Sequence, residues 1–159
     1  MIHLNKKTYI IAVLILIIDQ VSKSLIEIFF KLNESVMVIK DFFYITVVHN
    51  TGGAWSIFSN HSYLFIIASI VAIVLLIKFM FGFKNNLRNS IAFASLFGGI
   101  FSNLADRLFL GYVRDFLDFK IFGYDYPIFN IADIAIVVGV ILLIIAVIKG
   151  EDKRDKSSK

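Results

Sequence analysis

The stretch Ile128–Ile148, IFNIADIAIVVGVILLIIAVI, decides the class of fold. Beyond Asn130 and Asp133 near its start, no side of it would be polar in a helix. Such a helix lies in a large core or in a bilayer. At ~1.5 Å per residue, its length matches the ~30 Å of hydrocarbon in a membrane. The rest of the chain favours the bilayer. Of 159 residues, 58% are apolar and 18% charged, against about 45–50% apolar for soluble domains. A soluble fold of this size could not bury so much apolar surface.

Three more apolar stretches precede this one, at Tyr9–Phe30, Tyr63–Phe83 and Ser90–Leu110. Each is near the ~20 residues that cross a bilayer, so four transmembrane helices are expected. Pro127, the only proline, is expected in the first turn of the fourth helix, where its missing N–H does no harm. Lys6 and Lys7 precede the first stretch as they would in a signal peptide. No small-x-small cleavage site follows, so it is read as a retained span.

Basic residues set the orientation. Lys6 and Lys7, then Lys84 and Arg88, then Lys149, Lys153, Arg154, Lys156 and Lys159 fall on one side of a four-span chain. By the positive-inside rule that side is cytoplasmic, with both termini. The net charge of +4 is thus a matter of topology, and no nucleic-acid partner is expected. Residues 1–150 are read as one domain, with 151–159 a disordered basic cytoplasmic tail beside anionic lipid. The outer loops are Lys31–Ser62 and Gly111–Pro127. Within the first, Asp41–Val48 is rich in β-branched and aromatic residues and reads as a strand. Asn50-Thr51-Gly52-Gly53 then reads as a turn.

Composition removes several chemistries. There is no cysteine, hence no thiol nucleophile, disulfide or thiolate metal site. His3, His49 and His61 have no ligand spacing, and no H-E-x-x-H occurs, which argues against a zinc peptidase. No Gly-rich phosphate loop is present.

Polar groups inside apolar spans are costly and point to function. Asp19 and Lys23 lie four residues apart and can pair on one helix face. Glu27 continues the series. The pair is either a structural ion pair or a support for a site. Asn50 to Trp55 is a turn or a place of close approach to a ligand. In Gly98 to Arg107, the glycines suit tight helix packing and Asn103 and Arg107 share a face. Arg107 alone could be a snorkelling helix end. Asp133 is placed about five residues, or ~8 Å, into the fourth span, with Asn130 on the same face. Asp115 follows Gly111, which should end the third helix.

Two acids from opposite ends of one outer loop can therefore meet at one depth. In a poorly solvated site they share a proton and can act as acid and base in turn. Alternatively Asp133 only favours a helix N-terminus and Asp115 is a loop acid. Spacing does not choose Asp115 over Asp118, Asp106 or Asp125. Ser22 and Lys23 are adjacent on a helix and point apart, so they do not form a Ser/Lys dyad.

These clusters, in this order, resemble the lipoprotein signal peptidase (signal peptidase II) family. Its D-Q-x-[ST]-K motif is met by Asp19 to Lys23, N-x-G-A-A-[FW] by Asn50 to Trp55, and G-G-x-x-G-N-x-x-D-R by Gly98 to Arg107. V-x-D-F is met by Val113 to Phe116, and F-N-x-A-D by Phe129 to Asp133. The resemblance implies a multi-pass enzyme of the bacterial cytoplasmic membrane, with four transmembrane helices and a small extracytoplasmic β-sheet cradle. It implies Asp115 and Asp133 as catalytic residues at the extracytoplasmic face, no metal and no cofactor. Asn50, Gly53, Asn103, Arg107 and Asn130 would line or brace the substrate site, with Asp19 and Lys23 in support. The implied substrates are prolipoproteins carrying diacylglyceryl on a cysteine, cut just before that residue. Membrane lipid is a partner, and the protein is expected to act as a monomer.

Gly53 departs from the usual alanine, Ser102 from glycine, and Arg114 from an apolar residue. A cation beside Asp115 would depress its pKa unless the two side chains point apart. Rival readings are a proton-coupled transporter, a non-catalytic scaffold, and a peptidase that cuts unlipidated helices. A transporter would spread its acids through the membrane depth, and usually carries internal repeats, of which none is evident here.

Overall fold

The computed structural model describes residues 6–53, 55, 57–153. Its helices are α1 (Lys6–Phe29), α2 (Ser62–Met80), α3 (Leu87–Phe109) and α4 (Ile131–Ile148). Its strands are β1 (Ser35–Ile39), β2 (Phe43–Asn50), β3 (Val113–Ile121) and β4 (Tyr124–Asp125).

Helices α1, α2 and α4 are long and apolar enough to cross a membrane. All four expected helices are present, and α3 is not among these three because it is the most polar of the four. Its place in the packing accommodates that polarity. α3 touches α4 most extensively, then α1, then α2, so its polar side chains face protein. Ser95, Ser102, Asn103 and Asp106 are all buried on it. α2, by contrast, buries no residue. Gly98 and Gly99 allow the close approach. A Cβ on Gly98 would stand 2.8 Å from the Ala12 carbonyl of α1, and one on Gly99 would stand 2.5 Å from the Ala132 carbonyl of α4. Neither distance is tolerable, so glycine sets both helix separations.

The strands form an antiparallel sheet in the order β1-β2-β3-β4. The strand expected at Asp41–Val48 is displaced two residues, because Asp41 (φ 56°) turns the chain from β1 into β2. The second outer loop is no plain loop, since β3 fills most of it. Val48 lies opposite Asp115 and Asn50 opposite Val113. α3 ends as foreseen, with Gly111 at φ 86° just beyond it.

α4 begins at Ile131, later than expected. Pro127 therefore precedes the helix and is not in its first turn. Phe129 is still extended and bridges to Leu117, whose N–H donates to the Phe129 carbonyl at 2.8 Å. At the other end of the molecule, Glu151 ties the end of α4 to the α2–α3 turn. Its carbonyl accepts from Lys84 N at 2.8 Å and its carboxylate accepts from Asn86 Nδ2 at 2.8 Å. Arg88 pairs with the same carboxylate. Of the sequence features singled out, His3, Ala54 and tail residues 154–159 lie outside the described residues.

Candidate active site

Asp115 sits on β3, where alternate side chains face opposite ways. Val113, Asp115, Phe119 and Ile121 line one cavity of about 750 Å³. Arg114 and Asp118 project to the other side. Arg114 donates from Nη2 to Asp106 Oδ1 at 2.7 Å and to Gln20 Oε1 at 2.7 Å. Asp118 Oδ2 accepts from Thr46 Oγ1 at 2.6 Å. Arg114 and Asp115 thus point apart, and the cation does not depress the acid.

Asp133 is the third residue of α4. It is shallower in the helix than the expected five residues, because the helix starts late. A capping box holds it there. Asp133 N donates to Asn130 Oδ1 at 3.0 Å, and Asn130 N donates to Asp133 Oδ2 at 3.1 Å. Both ends of this exchange satisfy N–H groups that a helix start leaves open. The helix-start account of Asp133 is therefore borne out, and the same capping box holds its carboxylate at the cavity.

With its carbonyl oxygen occupied by the cap, the Asn130 amide nitrogen is free to donate elsewhere. It reaches Asp115 Oδ1 at 2.6 Å and Asn103 Oδ1 at 3.1 Å. Asn103 Nδ2 donates to Asp133 Oδ1 at 2.8 Å. Asn50 Nδ2 donates to Asp115 Oδ2 at 2.9 Å, while Asn50 Oδ1 accepts from Gly52 N at 2.9 Å. Every oxygen of the two acids thus accepts an N–H. Both acids line the cavity, as do Asn50, Gly53, Asn103 and Arg107.

Burial pushes the Asp115 carboxyl up to about 7, and the neighbouring Asp133 charge adds to it. Hydrogen bonds from Asn50 and Asn130 and the Lys23 charge act the other way. Burial dominates, as expected for a carboxylate removed from water.

Asp19 and Lys23 are fully buried beneath the site. Lys23 Nζ lies 2.7 Å from Asp19 Oδ2 and 3.2 Å from Asp106 Oδ2, and it donates to Asn103 Oδ1 at 2.8 Å. Asp19 Oδ1 accepts from Ala132 N at 2.8 Å, in the first turn of α4. The pair is therefore both structural and next to the site. Glu27 does not pair with Lys23. It meets His49 Nε2 at 2.8 Å and Arg114 Nη1 at 3.4 Å. Arg107 Nη2 donates to the Gly52 carbonyl at 3.0 Å and its guanidinium stacks over Phe65 at 4.9 Å. It pins the 50–53 turn to α3 and is not a snorkelling helix end.

The alternatives to Asp115 have other occupations. Asp106 is clamped between Lys23 and Arg114. Asp118 caps Thr46, and Asp125 meets Lys120 at 3.3 Å on the surface. The sequence does not single out Phe65, and it marks Gln20 and Ser102 only as members of their motifs, with no role for either. Gln20 Nε2 donates to Ser102 Oγ and Asp106 Oδ1, both at 2.9 Å. The signal for it in the sequence is its place as the second residue of the D-Q-x-[ST]-K motif. Among the described residues, no group of three or more His, Cys, Asp or Glu could hold a metal ion.

Much of the cavity lining comes from the helices and is apolar. Phe65 and Ser69 of α2, Ile100 of α3, and Ile134, Val137 and Val138 of α4 contribute to it. Two acids in a cavity whose lining is otherwise mostly apolar suit acid–base chemistry on a substrate with a greasy part.

Known proteins match this chain over nearly its whole length. The sequence model of the family described as "Signal peptidase (SPase) II" matches residues 11–149. A lipoprotein signal peptidase of Staphylococcus aureus is 43% identical, over 98% of this chain and 100% of that protein. The lipoprotein signal peptidase of Staphylococcus aureus strain Newman is 42% identical with the same coverage. A solved bacterial membrane enzyme superposes with a TM-score of 0.83 at 40% identity, over 99% of this chain and 97% of that one. A second gives 0.80 at 41% identity, over 92% and 96%.

Proposed function

The chain belongs to the signal peptidase II family, and from that premise we propose that Asp115 and Asp133 are the acid pair of its peptidase reaction. The family places it among membrane aspartic peptidases that remove signal peptides from prolipoproteins, and that is its activity. The observation that carries the residue assignment is Asn130. It donates to Asp115 from its side chain at 2.6 Å and to Asp133 from its backbone at 3.1 Å.

Asp115, with its carboxyl raised to about 7, carries the proton of the resting pair. The pair titrates as a unit, and Asp133 is the base. It takes a proton from water as the water oxygen bonds to the peptide carbonyl carbon. Asp115 gives its proton to the carbonyl oxygen, so a neutral tetrahedral diol forms. The C–N bond then breaks, Asp133 protonates the leaving amine, and Asp115 recovers a proton from a diol hydroxyl. Asn50, Asn103 and Asn130 donate to the carboxylates throughout and hold them in place.

The substrate carries diacylglyceryl on the cysteine after the cut. The apolar part of the cavity lining, from α2, α3 and α4, is what an acyl chain requires. Four helices cross the bilayer of the bacterial cell, with α3 shielded by the others. The ends near Lys6, Lys84 and Lys149 face the cytoplasm, and the sheet and acid pair face outward. The peptidase unit is residues 1–150, acting as a monomer.

Cleavage of a diacylglyceryl prolipoprotein by purified protein in detergent tests the assignment. Wild type should cut, while folded Asp115→Asn and Asp133→Asn should not. Activity in either variant would remove that residue from the pair.

A further inference from the structure

Resting on the acid-pair reading above, we propose that Arg114 is a positioning residue for both carboxylates. It acts on Asp115 through the β3 backbone and on Asp133 through Asp106, Lys23 and Asn103.

The first arm is direct. Arg114 clamps Asp106 of α3 from its backbone and its side chain together. Its N donates to Oδ2 at 3.1 Å, its Nε to Oδ2 at 3.3 Å and its Nη2 to Oδ1 at 2.7 Å. The same guanidinium reaches α1 at Gln20 Oε1 (2.7 Å), Ser24 Oγ (3.3 Å) and Glu27 Oε2 (3.4 Å). One side chain therefore fixes the start of β3 against two helices. The next residue along that strand is Asp115, with its side chain on the opposite face. An error in strand position is carried straight to its carboxylate, which is held by bonds of 2.6 and 2.9 Å.

The second arm runs beneath the site. Lys23 has three N–H bonds to give and three acceptors around it. Asp19 at 2.7 Å and Asn103 at 2.8 Å are close, and Asp106 at 3.2 Å is less so. Arg114, with Gln20 Nε2 at 2.9 Å, satisfies Asp106, and Arg114 is the cation that leaves Lys23 for the other two. Asn103, with its oxygen held by Lys23 and Asn130, must turn its N–H toward Asp133. Without Arg114, Asp106 is a buried carboxylate with Lys23 as its remaining cation. Lys23 is then drawn off Asn103, and the Asn103 amide loses a support.

Arg114 does not line the cavity, so it does not touch substrate. Its loss should therefore impair turnover and not binding. The planar fork is needed because its donors must meet Asp106 and Gln20 at fixed angles, which a lysine ammonium cannot reproduce.

The test compares the full chain with Arg114→Met, Arg114→Lys and Asp115→Asn in detergent, on a diacylglyceryl prolipoprotein. kcat, KM and thermal unfolding are measured for each. Arg114→Met should lower kcat about 10- to 100-fold, as misplaced catalytic groups do. KM should stay within about twofold in protein that is folded at the assay temperature. Arg114→Lys should recover part of the kcat and not all, and it also serves if the methionine variant does not fold. Wild-type kcat in Arg114→Met overturns the proposal, as does a raised KM with kcat intact. So does a kcat loss that only tracks the unfolded fraction, or full recovery with lysine. Asp115→Asn separates the two readings. If it is inactive while Arg114→Met is wild type, only the positioning role fails. If it is active, the acid pair fails and the positioning role fails with it.

Discussion

Lys23 Nζ and Asn103 Oδ1, eighty residues apart in the chain, are hydrogen-bonded at 2.8 Å in the protein interior. This bond couples a buried ion network to the amide that faces Asp133. A lysine with no exposure is stable only because Asp19 and Asp106 accompany it. Pairing offsets a desolvation cost that would otherwise be several kcal/mol per ion.

Lys23→Met should therefore be severe. It leaves Asp19 without a cation and Asp106 with Arg114 alone, and removing one partner of a buried ion network costs about 3–5 kcal/mol. A large fall in melting temperature in detergent is expected. A variant that melts like wild type would show that the network contributes little.

The alkaline side of the pH profile should report Asp115. Its carboxyl is raised from 3.8 to about 7, and the proposed chemistry needs it protonated. kcat/KM should fall as pH rises through about 7. Stability should move the same way. The folded acid holds its proton while the unfolded one loses it, so this group weakens the fold progressively between 3.8 and about 7. Thermal unfolding of wild type and Asp115→Asn across that range checks the sign, since the asparagine variant should lack this fall.

Strand parity makes a sharp contrast between two nearby acids. Asp118→Asn should keep cleavage near the wild-type rate, because Asp118 faces Thr46 and not the cavity. Ser22→Ala should do the same, since Ser22 Oγ donates to the Asp19 carbonyl of its own helix at 2.7 Å. Loss of cleavage in well-folded Asp118→Asn would reopen the choice of acid.

Gly99→Ala should harm activity at a distance. The added Cβ meets the Ala132 carbonyl at 2.5 Å and Ile136 at 2.8 Å. Overpacking of this kind costs about 1–3 kcal/mol. Here it also pushes the first turn of α4, and Asp133 with it. Expected outcomes are a lower melting temperature and about a tenfold or larger drop in kcat. Normal kcat with a lowered melting temperature would separate packing from the site.

Much of this was legible in the chain. Long apolar runs identify α1, α2 and α4 as bilayer helices because hydrophobic length is a local property. Asn130 and Asp133, three residues apart, were legible as neighbours on one face, but their capping box exists only because α4 starts at Ile131 and not at Ile128. Asp19 and Lys23 pair because helix geometry brings residues four apart together. The extent of α3 is legible too, but how it accommodates Asn103 and Asp106 is not, because that depends on which neighbours cover them. β3 went unread because Asp115 interrupts the apolar face made by Val113, Leu117, Phe119 and Ile121.

By itself, then, the sequence determined that this is a membrane protein with acids near the ends of its spans. It also determined the Asp19–Lys23 pair, which forms within a single helix. Only the tertiary structure decided that Asp115 and not Asp118 enters the cavity. It also turned Arg114 away from Asp115 and joined Lys23 to Asn103. Each of those outcomes depends on which face of β3 meets β2 and the helices, and on contacts between residues far apart in the chain. Local pattern holds no record of either.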